Sequence, residues 1–189
     1  MSLGWVLALS MAVWVAAEIV LQVRRRRQAS AVRYTESRTL WVVIALAGVG
    51  ELLAELARTH LRGFALPDRE ALRVAALVLV WAGAGFRLWA VHSLGRYFRG
   101  TVHVQEGHRV VQSGPYRVLR HPAYTGALVG LLGLSLTFGN AVSILVFTGA
   151  CLLAVLGRIR VEERVLTDAL GPEYTRYAAR TRRLVPGVW

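Results

Sequence analysis

The sequence has one cysteine, no lysine and few acidic residues. Cys151 stands alone among 189 residues, which excludes a disulfide framework. The 23 basic residues, all of them Arg, outnumber the 11 Asp and Glu residues, so the net charge is +12. We infer no binding site from the absence of lysine. The 55 % apolar fraction excludes a disordered chain. The mean hydropathy of +0.45 is rare among nucleic-acid-binding domains. The remaining class is a small integral membrane protein.

Five apolar windows are candidates for membrane-spanning helices. A hydrocarbon core of about 30 Å needs roughly 20 residues at 1.5 Å each. Residues 3–23, 40–56 and 72–91 are predicted as full spans. Residues 123–138 and 141–156 carry no charge, have 16 residues each and are separated by Gly139 and Asn140. They predict a tight helical hairpin that returns the chain to the side from which it entered.

The distribution of arginine predicts the orientation and the fold class. Basic clusters at residues 24–38 and 96–120 follow the first and third windows, so both segments are expected to be cytoplasmic. The N-terminus is then outside and the C-terminus inside. The first window is expected to stay as a helix, because its charges follow the apolar stretch instead of preceding it as in a signal peptide. We predict an all-α integral membrane bundle of about five transmembrane helices, forming one domain over residues 1–189.

The predicted hairpin brings two distant polar segments together. Residues 120–124 enter it and residues 158–163 leave it, so His121 and Tyr124 are expected to lie near Glu162 and Glu163, with several Arg. Such a mixture beside apolar helices suits an amphiphilic substrate with a polar reacting end and a buried tail. Taken one by one, the residues also fit structural roles: His121 as a helix cap, Tyr116 and Tyr124 in an interfacial aromatic belt, and the two acids in solvated ion pairs.

The C-terminal part predicts two amphipathic helices. The first carries Val165, Leu166 and Leu170 on one side, and Gly171-Pro172 ends it and begins a second. Tyr174 and Tyr177 share a face of that second helix. A helix lying on the membrane surface, with its arginines towards anionic lipid, is one interpretation of this pattern.

An ordered series of motifs indicates a function. It comprises Gly-His-Arg-Val-Val at 107–111, Ser-Gly-Pro-Tyr-Arg at 113–117, Arg-His-Pro-Ala-Tyr-Thr-Gly at 120–126, Glu162-Glu163, and Gly-Pro-Glu-Tyr at 171–174. The series resembles the isoprenylcysteine carboxyl methyltransferase family and its phospholipid methyltransferase relatives. The resemblance covers about half the chain, within residues 94–186, whereas the first two spans match only as generic hydrophobic helices.

The resemblance implies a membrane methyltransferase that uses S-adenosylmethionine without a soluble Rossmann domain and holds no metal. Residues 1–93 would then supply three spans, and residues 94–189 a cofactor-binding loop, the hairpin and the C-terminal helices. Arg158 matches an arginine that contacts the substrate carboxylate, which makes it the candidate catalytic and substrate-binding residue. The cofactor-binding residues carried over by position are His103, His108, Arg109, Val110, Val111, Tyr116, His121, Pro122, Ala123, Tyr124 and Glu162.

The residue types are compatible with this chemistry. A sulfonium cation is attracted to carboxylates and aromatic faces, as Glu162 and Tyr124 would provide. An acceptor carboxylate is ionised at neutral pH, so its esterification needs alignment instead of a general base. Arg158 would supply that alignment through paired donors, and its spacing of four from Glu162 puts both on one helix face. The expected partners are a lipidic or prenylated substrate and membrane lipids, with no nucleic acid.

Three other functions stay open on the sequence alone. Methylation of a phospholipid amine is one, although no base for it is evident. A sterol reductase is another, since that family also has an Arg-His-x-x-Tyr-x-Gly turn, but Ala127 stands where an acid is expected. A non-enzymatic scaffold is the third.

Four charged residues inside the predicted spans are expected to face the bundle interior. They are expected to form packing pairs and not to act as catalytic groups: Glu18, Glu51, Glu55 and Arg87.

Overall fold

The computed structural model describes residues 3–27, 32–36, 38–95, 102–105 and 110–187. Most of them are helical, which confirms the predicted all-α bundle. The helices are α1 (Leu3–Arg27), α2 (Arg38–His60), α3 (Arg69–Leu94), α4 (Pro122–Ser135), α5 (Ala141–Leu170) and α6 (Pro172–Arg180). Two short antiparallel strands, β1 (Val32–Glu36) and β2 (Val102–Gln105), join the segments that follow α1 and α3. The sequence does not predict this pair, because strands of five and four residues are too short for a clear alternating pattern.

Four of the helices are long and apolar enough to cross a membrane: α1, α2, α3 and α5. Helix α5 has 30 residues and continues through the stretch expected to be a separate amphipathic helix, because no proline interrupts it before Pro172. Helix α4 has 14 residues and continues into a 3-10 turn at Leu136–Phe138. At 1.5 Å per residue α4 is about 21 Å long, less than the hydrocarbon thickness.

The loops gather at two opposite ends of the bundle, as the predicted hairpin requires. At one end, the backbone amide of Leu66 in the α2–α3 loop donates to the carbonyl of Gly139, and the Asn140 amide group donates to the Leu61 carbonyl at 2.8 Å. Gly139 adopts a positive φ of 61°, which glycine allows without strain. The Asn140 side chain then accepts from two amides in the first turn of α5. The strand pair and the start of α4 lie at the other end.

Helices α3 and α4 pack with their backbones in contact. A Cβ atom added at Gly83 would lie 2.5 Å from the carbonyl oxygen of Gly126, and one added at Gly126 would lie 2.6 Å from the amide nitrogen of Arg87. Small residues allow this close approach between helices in a bilayer. The contact holds the first turn of α4, and the motif it carries, against α3.

Candidate functional site

The Arg-His-Pro turn begins α4 at the end of the bundle that carries the strand pair. Pro122 occupies the first helical position, where its fixed φ suits the helix and its missing N–H costs nothing. His121 precedes it at the N-cap position, but its side chain makes no capping hydrogen bond. The His121 Nε2 atom instead lies 3.3 Å from a carboxylate oxygen of Glu163, and its ring stacks on Tyr124 with centroids 5.7 Å apart. His121 therefore occupies the helix-cap position considered for it, although its side chain does not cap the helix.

A hydrogen-bonded series links α5 to α4 at the same place. Arg158 Nε donates to the hydroxyl of Tyr124 at 2.7 Å, and that hydroxyl donates to Glu162 Oε2 at 2.6 Å. Arg158 is buried, with 6 % of its surface exposed, and its guanidinium also approaches the Tyr124 ring. The prediction that Arg158 and Glu162 share a helix face near Tyr124 is confirmed, since both contact one phenol oxygen.

Glu163 has a different set of partners from its neighbour. Its carboxylate accepts from Arg120 Nε and from Arg183, each at 2.9 Å, besides the contact with His121. Arg120 also donates to the backbone carbonyls of Ala178 and Thr181. Successive residues on a helix point about 100° apart, so two adjacent acids reach different surroundings. Glu163 ties α5 to the Arg-His-Pro turn and to the C-terminal segment.

The C-terminal segment runs beside this turn as a short extended strap. The Arg120 amide donates to the Arg182 carbonyl at 2.6 Å, and the Arg182 amide donates back to Val118 at 2.9 Å. The Thr125 hydroxyl donates to the Leu184 carbonyl at 2.8 Å. Residues 181–184 therefore hold the entrance of α4 in place.

Helix α6 packs against the protein through its two tyrosines. Tyr174 and Tyr177 are each 5 % exposed and their rings lie 6.0 Å apart, which confirms their shared face. The Tyr177 hydroxyl donates to the carbonyls of Tyr116 and Leu119, and burial raises the pKa of Tyr177 to about 12. The apolar side of α6 thus covers the 114–119 segment, and this face is not available to lipid.

Most other predicted cofactor residues lie in the same region. Tyr116, Pro122 and Ala123 are buried, and burial raises the pKa of Tyr116 far above its usual range. Val111 packs partly buried against the cluster that contains Tyr116 and Ala123. The amide of Val110 donates to the Glu173 carboxylate at 3.2 Å.

The remaining predicted residues are at the edge of what the structure describes. The His103 backbone lies in β2 opposite Thr35, and its side chain is outside the described part. His108 and Arg109 lie outside the described residues.

Several residues near the site are absent from the predicted set, among them Arg120, Glu163, Glu173, Tyr174, Tyr177 and Arg183. The motif series contains Arg120, Glu163, Glu173 and Tyr174, and the i, i+3 spacing of the tyrosines indicates Tyr177. Their roles depend on contacts between residues distant in the chain, which a single sequence does not reveal.

One expected packing pair lies directly behind the site. Arg87 on α3 donates through two nitrogens to both carboxylate oxygens of Glu18 on α1, at 2.9 and 2.6 Å, and through a third to the Ala123 carbonyl at 2.9 Å. The expectation for Glu51 and Glu55 is wrong. Glu51 is exposed and Glu55 forms an exposed ion pair with Arg58, because the smaller residues of α2 take its packing face: Gly50, Ala54 and Ala57.

Comparisons with known proteins match this region of the chain. The model of the isoprenylcysteine carboxyl methyltransferase (ICMT) family matches residues 75–168. A probable protein-S-isoprenylcysteine O-methyltransferase from Oryza sativa subsp. indica is 27 % identical over 187 residues, covering 97 % of this chain and 95 % of that protein. Protein-S-isoprenylcysteine O-methyltransferase B of Arabidopsis thaliana is 31 % identical over 114 residues, covering 59 % of this chain and 58 % of that protein.

A bacterial relative carries a different name. The cobalt-zinc-cadmium resistance protein CzcN of Cupriavidus metallidurans is 36 % identical over 101 residues, which cover 53 % of this chain and 42 % of that protein. Within the described ranges, no three His, Cys, Asp or Glu side chains come together in a way that would hold a metal ion. The family match over residues 75–168 and the alignment with the rice protein over 97 % of this chain show a methyltransferase that is similar to the isoprenylcysteine carboxyl methyltransferase family.

Proposed function

We propose that this chain transfers a methyl group from S-adenosylmethionine to the carboxylate of an isoprenylcysteine or a related lipidic acid. The observation that carries the proposal is the series from Arg158 through Tyr124 to Glu162, which sets a cation and an anion around one phenol at the end of an apolar bundle. The names of the rice and Arabidopsis relatives support the substrate class.

The residues fit the cofactor chemically. When bound, S-adenosylmethionine would supply an electrophilic methyl group on a sulfonium centre. The Tyr124 ring offers an aromatic face that attracts such a cation, and the Glu162 carboxylate offers a negative charge for the positively charged amino-acid end of the cofactor. Tyr116, Pro122 and Ala123 form an apolar, buried surface beside them, which suits an adenosine.

Arg158 would act on the acceptor. Its guanidinium is oriented by Tyr124, and a guanidinium binds carboxylates through parallel hydrogen bonds. The acceptor is already ionised at neutral pH, so the chain supplies alignment and exclusion of water. The exposed apolar surfaces of α1 and α2, which include Leu9, Trp41 and Leu52, face the lipid from which a prenyl tail would enter.

The distribution of charge at the two ends of the bundle supports an orientation of the protein in the membrane. The end that carries the site also carries the arginine-rich end of α1, residues 24–27, together with Arg117 and Arg120, so we place it in the cytoplasm and the N-terminus outside. The loop at the opposite end has both signs of charge, with Asp68 and Glu70 beside Arg62 and Arg69.

Calorimetric titration of the detergent-purified protein with S-adenosylhomocysteine tests the proposal. Wild type is expected to bind, and Glu162→Ala is expected to lose at least tenfold in affinity because it removes the anion of the series. Asp168→Ala is the matched control, since Asp168 is an exposed acid on the same helix, and it is expected to bind like wild type. A folded wild-type protein that does not bind the ligand would overturn the proposal.

A further inference from the structure

The hydroxyl of Tyr174 is a buried polar group without a hydrogen-bond partner among the described residues. Tyr174 is 5 % exposed, and its oxygen makes no hydrogen bond within the part of the chain that the structure describes. Buried polar side-chain atoms in native proteins nearly always have a partner, and leaving one unpaired destabilises the fold. A buried hydroxyl without a hydrogen-bond partner beside a candidate site therefore indicates that a ligand supplies that partner.

Tyr177 shows that the packing of α6 does not explain this oxygen. Tyr177 lies one turn further along the same helix and is equally buried. Its hydroxyl donates to two backbone carbonyls, at 2.9 and 3.2 Å, so it stabilises the position of α6. A phenylalanine at 174 would fill the same space as Tyr174 without a lost contact in the described chain.

The surroundings of Tyr174 are acidic. Burial, followed by the charges of Glu163 and Glu162, raises the pKa of Tyr174 well above its usual range, so the hydroxyl stays a neutral donor at physiological pH. Glu163 is already neutralised by Arg120 and Arg183. Glu162, whose carboxylate accepts a hydrogen bond from Tyr124, is the acid whose charge is left to interact with a ligand at the site.

We propose that Tyr174 binds the amino-acid end of the cofactor, with its hydroxyl donating to the cofactor's carboxylate while Glu162 faces the cofactor's ammonium group. The assignment rests on the function proposed above. It gives each charge of the zwitterionic amino-acid end a complementary group. The Glu162 carboxylate faces the ammonium, and the neutral Tyr174 hydroxyl donates to the carboxylate, which an anionic side chain would repel.

Tyr174→Phe removes only the unpartnered oxygen and tests the assignment. The affinity for S-adenosylhomocysteine, measured by calorimetry, is expected to fall about tenfold, as for one hydrogen bond to a charged group. 5′-Methylthioadenosine lacks the amino-acid end, so its affinity, measured by displacing S-adenosylhomocysteine, is expected to be equal for both proteins. Equal S-adenosylhomocysteine binding, or equal weakening for the two ligands, would overturn the assignment.

Thermal unfolding without ligand gives a second readout. Tyr174→Phe is expected to unfold at the wild-type temperature or above it, because it removes an unpaired polar atom, whereas Tyr177→Phe is expected to unfold at a lower temperature. A lower unfolding temperature for Tyr174→Phe would show that the protein itself satisfies this hydroxyl, against the proposal. Failure of wild type to bind S-adenosylhomocysteine would instead reject the proposed function, and this inference with it.

Discussion

Glu162 and Glu163 are neighbours in the chain with separate tasks. Glu162 accepts from the Tyr124 hydroxyl, whereas Glu163 accepts from two arginines and contacts His121. Truncating one member of a buried ionic cluster leaves the others uncompensated, which costs more than losing one neutral hydrogen bond. The first acid is therefore expected to matter for binding and the second for stability.

We expect Glu163→Ala to lower the free energy of unfolding by about 3 kcal/mol, because it leaves Arg120 and Arg183 without their shared acceptor. Glu162→Ala is expected to lower it by about 1 kcal/mol. Chemical denaturation in detergent, followed by circular dichroism, measures both. Equal stability of the two variants would contradict this division.

At the scale of elements, the contact between α3 and α4 positions the site. Gly83 lies against the backbone of Gly126 and Gly130, whereas Gly85, two residues later on α3, has nothing within 4 Å of an added Cβ. Gly83→Ala is expected to destabilise the protein by about 2 kcal/mol through overpacking. Gly85→Ala is the matched control and is expected to keep or raise the unfolding temperature, since Ala favours helix more than Gly. Parallel losses in the two variants would argue against close packing at Gly83.

The Glu18–Arg87 pair links α1, α3 and the first turn of α4 behind the site. Glu18→Ala is expected to cost about 3 kcal/mol, because it leaves a charged arginine largely buried within the bundle. The exposed Glu55–Arg58 pair is the comparison, and Glu55→Ala is expected to change stability little. Denaturation of the two variants in the same detergent measures their free energies of unfolding. A Glu18→Ala protein as stable as wild type would show that the pair is dispensable.

The sequence was enough for the elements whose signals are local. The helices and the hairpin are predicted by the apolar windows, the Gly139-Asn140 turn and the Gly171-Pro172 break. The predicted hairpin in turn places His121 and Tyr124 close to Glu162. The partners of Glu163, the strap at residues 181–184 and the β1–β2 pair were not predictable, because each joins segments far apart in the chain. Glu51 and Glu55 were misplaced because helical periodicity does not say which face a neighbouring helix covers.

At the scale of the whole molecule, the described loops alternate between two ends, and the end with the strand pair also carries the arginine-rich end of α1. In a background where buried Cys151 is replaced by Ala, a cysteine at exposed Thr137 would mark one end and a cysteine at exposed Thr175 the other. A membrane-impermeant maleimide is expected to label Thr137→Cys in intact cells and Thr175→Cys only after permeabilisation. The reverse pattern would invert the proposed orientation.

Carboxyl methylation is tested by following transfer of a labelled methyl group from S-adenosylmethionine to an S-farnesylcysteine with a blocked amino group, by purified protein in lipid nanodiscs. We expect a labelled product whose label is released by base, as for a methyl ester. Arg158→Ala is expected to lose transfer while it still binds S-adenosylhomocysteine. Absence of transfer to this acid, or a base-stable label on a phospholipid amine, would contradict the proposed function.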